Sequence, residues 1–67
     1  MALTLKQAID QAVLKEDADA AGVVARILRK KGLSYEESFR YVRRFYPNFD
    51  IAVWDALLYE SDSAESR

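Results

Sequence analysis

Arg40, Arg43 and Arg44 stand at i, i+3 and i+4, the spacing that brings three guanidinium groups to one side of a helix. Their chemistry is recognition rather than reaction, because a planar guanidinium can pair with two oxygens of a carboxylate or a phosphate at once. They belong to a wider concentration of charge. Arg26, Arg29, Lys30, Lys31, Arg40, Arg43 and Arg44 are seven of the ten basic residues, and only Glu36 and Glu37 oppose them between positions 26 and 44. That segment carries a net charge of about +5, and the rest of the chain about −6, which together recover the total of −1. A nearly neutral chain with two charged sides can orient a partner. The other use of such a stripe is a solvated face, with Glu36 four residues before Arg40 as its ion-pair partner.

Aromatic rings accompany the cations. Tyr35, Phe39, Val42 and Tyr46 fall at i, i+4, i+7 and i+11, all on one side of a helix. Tyr41 and Phe45 lie off that line, four residues apart, where a small monomer leaves rings partly exposed. Exposed rings beside arginines have the composition of an interface hot spot. The same spacing makes Phe39 and Trp54 candidate core residues. Yet Trp54 also belongs, with Leu57 and Leu58, to a segment that is apolar nearly all round from Ile51 to Tyr59. A helix of that kind is either central to its bundle or covered by another molecule. The expected partner-binding set is therefore Arg40, Tyr41, Arg43, Arg44, Phe45, Trp54, Leu57 and Leu58.

No reactive constellation competes with this reading. Histidine and cysteine are absent, which removes the commonest general base, the thiolate nucleophile, zinc ligands and disulfides. There is no glycine-rich phosphate loop. The carboxylate pairs Asp17 with Asp19 and Asp50 with Asp55 sit where helix caps are needed. The expectation is a protein that is not an enzyme, with no catalytic residue, no metal and no cofactor.

The elements that must position these side chains are helices. Two glycines, one proline and helical spacing throughout define an all-α chain. Thr4 with Gln7 and Ser34 with Glu37 form capping boxes, in which hydroxyl and N3 side chain satisfy each other's backbone amides. Asp17 or Asp19 caps a second helix, which Gly32 ends by entering the left-handed conformation, with Leu33 packing behind it. Pro47 ends the third helix. Asp50 caps a fourth, onto which Phe49 can staple through Trp54. The expected architecture is a compact bundle of four short helices over about 5–15, 18–31, 35–46 and 50–60, in one domain over 1–60. Residues 61–67, polar and uncapped, are expected to form a flexible tail.

The joint from Ala25 to Val42, with Leu28, Gly32, Leu33, Ser34 and Glu37, resembles the first turn of helix-turn-helix proteins. That resemblance implies that the next helix, the fourth, would read the major groove. Here it would present Asp50, Asp55 and Glu60 to phosphates and has no Arg, Lys, Asn or Gln for base edges, so recognition by that route is not expected. Nucleic acid could be met instead by Arg26, Arg29, Lys30, Arg40, Arg43 and Arg44, which is the alternative function. No apolar run is long enough for a membrane span, so a cytoplasmic protein without a membrane partner is expected. Sixty-seven residues without a staple supply a core worth only about 3–5 kcal/mol, which favours a homodimer. The favoured function is a small adaptor or regulator that binds a protein partner.

Overall fold

Each helix begins where its cap lies. A computed structural model describes residues 3–65, with side chains through Ser63, and contains α1 (Leu5–Leu14), α2 (Ala18–Lys30), α3 (Tyr35–Arg43) and α4 (Ile51–Glu65). At α1 the Gln7 amide donates to the Thr4 hydroxyl at 3.1 Å, and the Thr4 amide donates to the Gln7 side chain at 3.0 Å. The Ser34–Glu37 box at α3 is closed in the same way, at 3.2 and 2.9 Å. Asp17, not Asp19, caps α2, accepting from the amides of Asp19 and Ala20 at 3.0 and 3.4 Å. Asp50 accepts from the Ala52 amide at 2.9 Å to open α4.

Gly32 has φ 85, and the two hydrogen bonds of a Schellman motif close around it. The Leu33 amide donates to the Leu28 carbonyl at 3.1 Å and the Gly32 amide to the Arg29 carbonyl at 2.9 Å. Leu33 then packs against the core, and the chain enters α3 at once. The turn between α1 and α2 is made differently. Glu16 takes the left-handed conformation there, at φ 48, without being glycine.

Two boundaries differ from the sequence expectation. α3 stops at Arg43 rather than 46, because its end tightens: the Arg44 and Phe45 amides reach only three residues back, to Tyr41 and Val42, at 3.1 Å each. α4 runs on to Glu65 rather than ending near 60, which corrects the expected tail over 61–65. Ser61 is 5% exposed and lies against Gly22 of α2, where an added Cβ would come within 3.2 Å of the Ser61 Cβ. A small residue facing a glycine lets two helices approach closely, and a reading based on polarity cannot see that. Ser66 and Arg67, the end of the expected tail, lie outside the described residues.

The centre of the bundle is α2, which packs against α1, α3 and α4. Of the two expectations for a fourth helix apolar nearly all round, central in its bundle or covered by another molecule, the first is not met. The core joins Ala8, Ile9 and Ala12 of α1 to Ala20, Ala21, Val24 and Leu28 of α2, with Phe39 and Val42 of α3 and Trp54 and Leu57 of α4. Alanines on α1 and α2 allow close helix contact, while the largest wholly buried side chains, Ile9, Val24, Leu28, Val42 and Trp54, come from all four helices. Phe49 bridges Phe39 and Trp54, with ring centroids 6.3 and 6.2 Å away. The second contact is edge-to-face, the staple expected of Phe49. The radius of gyration, 10.9 Å, matches the value of about 11 Å for a folded chain of this length.

Candidate interaction surface

Tyr41 and Phe45, one helical turn apart, meet edge-to-face at 5.8 Å between centroids. Tyr41 is half-buried, whereas Phe45 lies just past the end of α3 and remains 40% exposed. Cations surround the two rings. The Arg44 guanidinium lies 5.4 Å from the Tyr41 centroid, and the Lys6 ammonium 5.1 Å from that of Phe45. Arg40 completes the set, highly exposed and 3.7 Å from the Glu36 carboxylate, the partner expected four residues back. Arg40, Tyr41 and Arg44 also line a 180 Å³ cleft with Leu33 and Glu37. The Glu37 carboxyl is held below its usual range, first by the Ser34 backbone amide and then by the Ser34 hydroxyl.

Lys6 was not among the residues singled out from the sequence. It arrives from α1, fixed by Asp10 four residues on, at 2.6 Å. Asp10 also accepts from the Tyr46 hydroxyl at 2.5 Å, which ties α1 to the segment after α3. Within this triad Asp10 is pulled below the usual carboxylate range by its hydrogen bonds to Lys6 and then Tyr46. Lys6 and Tyr46 are both raised, chiefly through their hydrogen bonds to Asp10. The i, i+4 pair was legible in the sequence, but its meeting with Tyr46 depends on tertiary packing.

Other expected residues sit elsewhere. Trp54 is wholly buried and Leu57 is buried beside it, so neither presents a surface to a partner; their stripe faces α2, not solvent. Leu58 is half-buried in a groove against α2. Arg43 is exposed but engaged locally. Its guanidinium donates to the Pro47 carbonyl at 2.9 and 2.5 Å and lies 5.7 Å from the Phe39 centroid, so it secures the α3–α4 turn. Of the alternative nucleic-acid set, Arg26 and Arg29 line the α2–α4 groove, and Lys30 lies in the last turn of α2. The outer side of α4 keeps Ile51, Ala52, Asp55, Ala56 and Tyr59 exposed, while the Tyr35 hydroxyl donates to Asp55 and bridges α3 to α4.

Among the described residues no cluster of acidic side chains could hold a metal ion, and no helix is long and apolar enough to cross a membrane. Comparison with protein-family models, with curated proteins and with solved structures gives no match for this chain.

Proposed function

We propose that this protein is a non-enzymatic interaction module, an adaptor or regulator that docks a protein partner through the basic aromatic patch of Lys6, Arg40, Tyr41, Arg44 and Phe45. The observation that carries this reading is the exposed Phe45 ring, held edge-on by Tyr41 with an ammonium beside it. A ring fixed in place loses little entropy on binding, and its cations select and orient the partner. Trp54 and Leu57 stabilise the domain rather than the contact. Capture from native lysate tests the reading. An Arg44→Glu, Phe45→Ser variant with an unchanged circular dichroism spectrum should lose the partner that the natural chain retains. An identical set of captured proteins would refute it.

Self-association is a second reading, carried by Tyr59, which is 76% exposed on the outer side of α4. Sedimentation equilibrium at micromolar concentration should then give a dimer that Tyr59→Ser dissociates; a monomer at all concentrations removes this reading.

A further inference from the structure

The monomer leaves charge unbalanced in two places. Beside α3, Arg44 stacks on Tyr41 and forms no ion pair among the described residues, and its neighbour Arg40 has only the exposed Glu36 at 3.7 Å. On α4, Glu60 forms no ion pair among the described residues either, and it lines a 280 Å³ cleft with three more carboxylates, Glu16, Asp17 and Asp19. Asp50, Asp55, Glu60 and Asp62 follow one another along α4 and its cap with no lysine or arginine between them. The same helix keeps one half of its circumference out of the core. Ile51, Ala52, Asp55, Ala56, Tyr59 and Glu60 are exposed there, and Tyr59 is the most exposed large apolar side chain among the described residues. This face is apolar along its middle and acidic in its charge.

We infer that copies of this chain associate head to tail, the outer side of α4 of one copy seating on the basic aromatic patch of the next. Tyr59 meets Phe45, and the Asp55 and Glu60 carboxylates turn toward Arg40 and Arg44. The inference rests on the interaction-module reading and names the partner of its patch. Charge complementarity chooses the occupant. Two copies joined through their α4 faces would set Asp55 and Glu60 against the same acids, with no cation between them. What fits instead is a cationic surface with a ring at its centre, and the patch of Lys6, Arg40, Arg44 and Phe45 is one. The segment of about +5 and the remainder of about −6 nearly cancel, so each chain is the electrical complement of another copy. Arginine forks suit carboxylates, and contact removes two exposed rings from water. Joining unlike surfaces makes the contact heterologous, so it closes into a ring or continues as a chain of copies.

Sedimentation velocity from about 10 to about 500 μM tests this. The natural chain should rise above its monomer mass of 7.7 kDa with concentration. Raising salt from about 50 to about 300 mM should weaken the association at least about fivefold, a readout that needs no variant. Two variants, each checked by circular dichroism, then separate the surfaces. Arg40→Glu with Arg44→Glu disables the patch, and Tyr59→Ser with Glu60→Lys disables the α4 face; all four residues are exposed. Each variant alone should stay monomeric, and an equal mixture should give a dimer, since one intact patch then meets one intact α4 face. A monomeric natural chain, association that ignores salt, a single variant that still self-associates, or a mixture that stays monomeric would each overturn the inference. Should the natural chain stay monomeric while the lysate partner depends on Arg44 and Phe45, the head-to-tail contact fails and the module reading survives. Loss of both results removes the module reading as well.

Discussion

The two left-handed residues that frame α2 make a paired test of how the arginine-bearing helices are joined. Gly32 has φ 85, and a Cβ built on it meets nothing within 4 Å, so Gly32→Ala changes backbone energy without a clash. Holding an L-residue in that conformation costs about 1–2 kcal/mol, offset by about 0.4–1 kcal/mol from the stiffer unfolded chain. The net is a loss of about 1 kcal/mol. Glu16, at φ 48, already carries that strain, so Glu16→Gly should stabilise by a similar amount, about 1 kcal/mol. For a domain of this size each change should move Tm by about 4–8 °C, downward for Gly32→Ala and upward for Glu16→Gly. The two sites flank the 13 residues of α2, a separation of about 20 Å, so the double variant should return close to the natural Tm. Urea titration followed by circular dichroism gives the midpoints, and an unchanged slope would confirm that the unfolded state is not remodelled. Glu16→Ala keeps the strain and should be nearly neutral. Equal midpoints for Gly32→Ala and the natural chain, or a fall for Glu16→Gly, would refute the reasoning.

Trp54→Ala should cost about 3–5 kcal/mol, which matches the whole stability of a core this small, so its far-ultraviolet spectrum should be that of an unfolded chain. A folded Trp54→Ala variant would remove Trp54 from the centre of the core. Asp10→Asn should flatten the dependence of stability on pH at both extremes. The lowered Asp10 gives stability that is complete above its unfolded pKa and is lost as pH falls from there through the lower, folded value. Lys6 and Tyr46 are raised, so their contribution is complete below their unfolded values and is lost as pH climbs past 10 through the folded ones. Some acid sensitivity should persist in this variant through Glu37, also lowered; an unaltered alkaline limb in urea midpoints would contradict the triad. Arg43→Met should lower stability by about 1 kcal/mol through loss of the Pro47 carbonyl contact. Arg40→Met, at an exposed pair, should stay within about 0.5 kcal/mol, and equal losses would show that the two arginines do not differ in role.

Much of the fold is legible in the sequence, because capping is local chemistry. Thr4 with Gln7, Ser34 with Glu37, Gly32 and Asp50 mark helix ends through contacts spanning only a few residues, and all four stand where the spacing put them. The concentration of cations between 26 and 44 and the partial exposure of Phe45 could also be read from composition and period. The end of α3 could not, since whether a last turn tightens depends on what Arg43 and Tyr46 find nearby. The reach of α4 escaped for a related reason. Ser61 looks like tail until Gly22, thirty-nine positions earlier, is seen to leave it room.

Residue order is enough to make this chain four capped helices with its positive charge gathered in one segment, because helical period and cap chemistry act over three or four residues. Packing between helices sets which apolar side of α4 is hidden, that α2 lies at the centre, and that Lys6 joins Phe45 and Tyr46. These are outcomes of packing between distant segments, where shape complementarity and not residue type chooses the neighbour.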